Sequence, residues 1–154
     1  MVSSLQQQLT HGPEECPGGW TRHLDTCYLV TATNSSWYEA QYQCGTLHRR
    51  AQLAIVPPSA GELTERMVTD TVSGTRGAWI GMTRLQESDD TFGWIDGTQP
   101  VATRFSPNEP NGDGDCVHIW GPEPGWTTEG GVAHGWNDLP CHYGLNILCE
   151  IQLK

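Results

Sequence analysis

Between Phe105 and Cys141 the chain gathers oxygen donors of the kind a hard cation needs. The run Phe105-Ser-Pro-Asn-Glu109-Pro110-Asn111-Gly-Asp113-Gly-Asp115-Cys116 is answered twenty residues past Cys116 by Trp136-Asn137-Asp138-Leu-Pro-Cys141. Glu109, Asn111, Asp113, Asp115, Asn137 and Asp138 offer carboxylate and amide oxygens, and Ca²⁺ takes about six to eight such oxygens in flexible geometry. No thiolate is required. Either stretch alone is a weak signal, since Asn-Gly is an ordinary turn and Pro an ordinary loop residue. Their order and their placement before two cysteines carry the weight.

Those donors need a rigid frame, and the composition supplies one. The chain has 154 residues, enough for one domain with a sizeable core, and six cysteines without a Cys-x-x-Cys pair. That pattern points to a disulfide framework and an oxidising compartment; six cysteines allow fifteen pairings, and spacing does not choose among them. Seven Trp and eighteen Gly suit a loop-rich fold with aromatic pegs and tight turns. The net charge of −10 repels phosphate backbones and anionic membrane surfaces, so nucleic acid is excluded as a partner; most of the excess acid is solvated surface. No run of about twenty apolar residues could span a bilayer, and the first ten residues lack the apolar core of a signal peptide, which leaves a removed leader or an excised domain.

Residues 1–15 are polar and aperiodic and read as a tail or linker, with a single domain over 16–154. Ser35 or Ser36 can cap a helix through Trp37–Cys44, in which Trp37, Ala40 and Cys44 share one face. Gln52–Val56 reads as a short buried strand ended by Pro57-Pro58. A second helix follows from Ser59 or Gly61 to Val72, its apolar stripe being Leu63, Met67 and Thr71 or Val68 and Val72, with Ser73-Gly74 as the stop. Ala78–Met82 is a compact apolar strand, and Cys116–Trp120 and Gly144–Ile151 read as closing strands. Between Thr83 and Val117 lies a long stretch rich in Gly, Pro, Ser, Thr, Asp and Asn; long irregular loops in compact domains are usually functional or disordered, and the carboxylates favour function. Asn34-Ser35-Ser36 is a glycosylation sequon.

The triplets Glu109-Pro110-Asn111 and Trp136-Asn137-Asp138, the Trp79-Ile80-Gly81 core motif, the Trp94-Ile-Asp96-Gly97 hairpin and the cysteine pattern resemble a C-type lectin-like domain from about Cys16 to Glu150. The resemblance implies an α+β C-type lectin fold, with two helices, small antiparallel sheets and a long calcium-binding loop stapled by disulfides. It also implies the pairs Cys16–Cys27, Cys44–Cys149 and Cys116–Cys141, with Cys16–Val30 as a disulfide-closed hairpin leading into a strand, the mark of the long form. The Glu109-Pro110 bond is expected to be cis, turning the neighbouring oxygens toward one ion. The loop from Asn111 to Cys116 is shorter than the family's. Gly114 stands where an acid is common, leaving the acidic ligand open between Asp113 and Asp115. Arg84 and Gly112 replace acids of the auxiliary calcium site, so one calcium is expected.

Glu109, Asn111, Asn137, Asp138 through both its side chain and its backbone carbonyl, and one turn aspartate would then fill about six of eight calcium positions, leaving about two for sugar hydroxyls. Each hydroxyl could donate to a carboxylate and accept from an Asn amide. The Glu-Pro-Asn order implies mannose, GlcNAc or fucose types, and Trp126, in a 121–133 stretch longer than the family usually carries, is the aromatic that could stack on galactose instead. His118, His134 and His142 raise zinc, but they lack ligand spacing and the nearby cysteines are expected in a disulfide. Glu109 with Asp138 raises a glycosidase pair, yet acids committed to calcium are poor proton donors, so no enzyme is expected. Trp136 reads as a core peg. The expectation is an extracellular domain, secreted or part of a larger ectodomain, that binds glycans, with a homo-oligomer raising avidity. The competing reading is a domain of this fold that binds protein or ice, with calcium only ordering the loop.

Overall fold

A computed structural model describes residues 15–72, 77–86, 91–106, 109–121 and 135–153. A disulfide between Cys16 and Cys27 closes the hairpin of β1 (Thr21–His23) and β2 (Thr26–Val30). The first helix, α1 (Trp37–Leu47), starts at Ser36, whose hydroxyl accepts the Glu39 N–H at 3.2 Å, so the second of the two capping serines is the one used. Its Ala40 and Cys44 face inward, and the half-buried Trp37 donates its indole N–H to the Ile80 carbonyl at 2.9 Å.

The buried run after α1 forms a shorter strand than its apolar character suggests. The ladder of β3 (Ala51–Leu53) ends at Leu53 because the next amides find other partners. The Ala54 N–H reaches the Leu148 carbonyl, the Ile55 N–H reaches the Glu150 carboxylate, and the Ala54 carbonyl receives the Gly81 N–H. A 3₁₀ turn over Pro58–Ala60 leads into α2 (Gly61–Thr71). The inward face of α2 is Gly61, Thr64, Glu65 and Val68, while Leu63 and Met67 are half-buried on its flank. Of the two apolar stripes read from the sequence, Val68 and Val72 are the buried one.

The remaining strands are β4 (Ala78–Thr83), β5 (Gly93–Trp94), β6 (Cys116–Ile119), β7 (Trp136–Leu139) and β8 (Asn146–Gln152). They run in the order β1-β2-β8-β4-β6-β7, with β3 on β8 and β5 on β4. Among the described strands every ladder is antiparallel except β4 with β8, which joins two antiparallel ladders through one parallel contact. Successive residues of a strand point to opposite faces, and the core divides accordingly. Ile80, Val117 and Leu148 lie with Val68 of α2 on one side. Trp79, Cys116, Ile147 and Cys149 lie with Ala40 and Cys44 of α1 on the other.

Disulfides join Cys44 to Cys149 and Cys116 to Cys141, so all three expected pairs are present. Trp94 and Trp136 meet edge to face with centroids 5.7 Å apart, and Trp136 is 1% exposed, a core peg. The Trp94–Gly97 hairpin closes through Thr98, whose N–H and hydroxyl both donate to Asp96.

Candidate functional site

The donor-rich loop is tied to β7 at its base. Trp136 donates its N–H to the Arg104 carbonyl at 2.9 Å and its carbonyl accepts the Ser106 N–H at 3.0 Å, so the loop leaves the sheet beside the Trp-Asn-Asp strand. Arg104 is itself clamped, its Nε 2.6 Å and Nη2 3.1 Å from the two oxygens of the mostly buried Glu65 on α2. At the loop's far end Cys116 begins β6 and is bridged to Cys141 just past β7. Neither Arg104 nor Glu65 stands out by residue type; the signal in the sequence is an acid at helical spacing from Val68, on the inward face of α2.

Glu109-Pro110 is cis, as expected. The loop then folds over Asp138, which is fully buried. The Asp138 carboxylate accepts three backbone N–H groups: Asn111 at 3.0 Å, Gly112 at 3.0 Å and Gly114 at 3.2 Å. Glycine is needed at two of these positions. Gly112 has φ of 88°, a conformation that side chains disfavour, and a Cβ on Gly114 would run into the Leu139 backbone. An acid at position 114 is therefore sterically shut out, which explains the departure noted in the sequence. The Asn111 carboxamide oxygen accepts the Asp113 N–H at 3.1 Å and tightens the same turn.

The two turn aspartates part company. Asp115 is held by Arg84, with Nε to Oδ1 at 2.8 Å, and its carbonyl accepts from the Thr83 hydroxyl and the Arg84 N–H. The Arg84 guanidinium also lies 5.1 Å from the Phe92 ring centre. Asp113 is exposed. The Glu109 carboxyl is pushed up to about 7, first by burial, then by its hydrogen bond with Asp138 and the negative charges of Asp138 and Asp113, against the Asn111 N–H that favours ionisation.

Two oxygens are orphaned among the described residues: Glu109 Oε1 and Asn137 Oδ1 are both buried and neither has a hydrogen-bond partner. Asn137 is 2% exposed, and its Nδ2 lies 3.1 Å from His118 Nε2. Buried polar atoms are almost always paired, so unpartnered oxygens beside crowded carboxylates fit a hard cation. Among the described residues no three His, Cys, Asp or Glu side chains are gathered so as to hold a metal ion, so Glu109, Asp113 and Asp138 do not make a site by themselves, and the donors that fit here must include the Asn111 and Asn137 amides. The two cysteines closest to His118 and His142 are oxidised to a disulfide and hold no thiolate for zinc. Trp126 and His134 lie outside the described residues.

A family model for the lectin C-type domain matches residues 33–151. The chain belongs to the C-type lectin domain family. It is 31% identical over 146 residues to the lactose-binding lectin l-2 of Anguilla japonica, covering 90% of this chain and 79% of that one. Among solved structures it resembles the C-type lectin domain of murine dendritic cell inhibitory receptor 2 in complex with N-glycan, with a TM-score of 0.68, 26% identity, and coverage of 90% and 99%. It also resembles a calcium-independent type II antifreeze protein, with a TM-score of 0.67, 25% identity, and coverage of 94% and 99%. C-type lectin domains are typically non-enzymatic binding modules. No helix among the described residues is long and apolar enough to cross a membrane.

Proposed function

We propose that this domain binds carbohydrate through a calcium ion held by Glu109, Asn111, Asn137, Asp138 and Asp113, outside the cell. The observation that carries this reading is the pair of orphaned buried oxygens, Glu109 Oε1 and Asn137 Oδ1, next to a carboxylate cluster that drives the Glu109 carboxyl to about 7. A divalent cation would partner those oxygens and remove the repulsion. Asp113 is favoured over Asp115 because Arg84 already neutralises Asp115. Bound calcium would supply open coordination positions for sugar hydroxyls. Around them the carboxylates can only accept hydrogen bonds, and the Asn amides can also donate them.

The Glu109-Pro110-Asn111 order favours mannose, GlcNAc or fucose over galactose. One relative is named for lactose binding, so the choice of sugar is the finer test. Free mannose should displace this domain from an immobilised mannose-rich glycan in calcium more effectively than free galactose. A domain released by galactose alone would contradict the sugar class. It would then be asked of Trp126→Ala whether stacking on galactose is the cause: restored mannose preference would say so.

A second reading, binding protein or ice without help from calcium, has one observation in its favour. The loop is already ordered by protein groups, since three backbone N–H groups satisfy Asp138 and Arg84 holds Asp115. The two readings separate on whether ligand capture survives a chelator.

A further inference from the structure

We propose that His118 is a positioning residue that fixes which end of the Asn137 carboxamide is offered to a cation. The inference rests on the calcium reading above. His118 and Asn137 face each other across the β6–β7 ladder, and both are buried, at 0% and 2% exposure. Their contact, Nδ2 to Nε2 at 3.1 Å, joins two groups that can each be turned end for end chemically. An Asn side chain offers an acceptor oxygen and a donor nitrogen of similar shape; a neutral imidazole has one donor and one acceptor nitrogen, set by its tautomer.

Only one combination is useful to a cation. With the proton on Nδ1, His118 Nε2 accepts from Asn137 Nδ2, and Oδ1 is the atom left over. With the proton on Nε2, the imidazole would donate to Oδ1, leaving an N–H group that a cation repels. With the amide placed so that Nδ2 faces His118 Nε2 and Oδ1 is the buried atom left over, the first combination applies, and the Nδ1–H that it requires is itself buried. An acceptor left in that state carries a desolvation penalty that a cation would relieve.

The ring cannot easily turn to escape this arrangement. It meets Trp120 edge to face with centroids 4.9 Å apart and Trp79 at 6.0 Å. Trp79 is fixed in turn, its indole N–H donating to the Ser35 carbonyl at 3.0 Å and the Tyr143 carbonyl at 3.2 Å. An imidazole held this way can hold the amide as well. Partners that orient metal ligands typically change metal affinity about 10–100-fold when removed.

The test has two arms. In the calcium-free wild type, nitrogen-15 NMR should find the His118 proton on Nδ1, with Nε2 unprotonated and coupled through the hydrogen bond to the Asn137 amide. In calcium titrations, His118→Phe keeps a buried ring without an acceptor and should weaken affinity at least about tenfold. His118→Gln restores an acceptor oxygen and should recover most of it, an order that melting temperature in chelator need not follow. If His118→Phe fails to fold, the tautomer and His118→Gln still decide. A proton on Nε2, or affinity unchanged in His118→Phe, would overturn the positioning role while leaving the calcium reading intact. A wild type with the expected tautomer that takes up no calcium would overturn both the calcium reading and the purpose assigned to this contact.

Discussion

Replacing Glu109 by Gln should move stability in opposite directions with and without calcium. In the calcium-free chain the Glu109 carboxyl sits against Asp138 and Asp113 and is raised from 4.5 to about 7. That displacement sets a ceiling of about 3 kcal/mol on the penalty for ionising it above pH 7. The side chain is only half-buried, so solvent screening brings the relief expected from Glu109→Gln to about 1 kcal/mol. In a chain of this size that is a rise of about 2–4 °C in melting temperature. With calcium at about a hundred times its dissociation constant, the wild type gains about 2.7 kcal/mol by linkage. The variant, lacking a charged ligand, should lose most of that gain. Thermal melts of both proteins in chelator and in calcium therefore form a crossing pattern. If Glu109→Gln is less stable than the wild type in both conditions, the cluster is not a cation-seeking one, and the carboxylate serves a contact within the protein instead.

Three further outcomes follow from the same geometry. With calcium absent, the Glu109 contribution to stability is complete below its unfolded value of 4.5 and fades as pH rises through about 7, because the folded chain binds the extra proton. The difference between wild type and Glu109→Gln should accordingly grow from about pH 5 to 8; Glu150, raised by burial, adds a slope of the same sign to both proteins and cancels. Calcium uptake should show the reverse trend and fail on acidification, since protons compete with the metal for the carboxylates. Arg104→Met leaves the mostly buried Glu65 without its clamp, and should cost about 1–2 kcal/mol after screening at the partly exposed guanidinium, read by denaturant midpoint. It should also weaken calcium, because the Arg104 carbonyl is where the loop joins β7.

Much of the frame was legible because it depends on residue type at fixed places. The three disulfides and the cis Glu109-Pro110 bond followed from the resemblance, and a cap at Ser35 or Ser36 and the Ala40/Cys44 face from local residue type and helical spacing, the structure choosing Ser36. What escaped depends on contacts between distant segments. Trp136-Asn137-Asp138 reads as a ligand triplet, and its strand character comes only from lying against Cys116–Ile119. Asp113 and Asp115 look alike in sequence, and Arg84, 31 residues before Asp115, tells them apart. The inward face of α2 carries Thr64 and Glu65 because the Thr64 hydroxyl bonds back to the Ala60 carbonyl and Arg104 covers the acid, so polarity misleads a reading by apolar stripe. His118 drew notice for zinc, whereas its contact is with the amide directly across the ladder.

Calcium-dependent ligand capture is decided by binding of the domain to a glycan array in calcium and in chelator, beside the double variant Asn137→Ala with Asp138→Ala. The wild type should give glycan signals that vanish in chelator and are absent from the variant under both conditions. Glycan binding by the wild type that persists unchanged in chelator would contradict it.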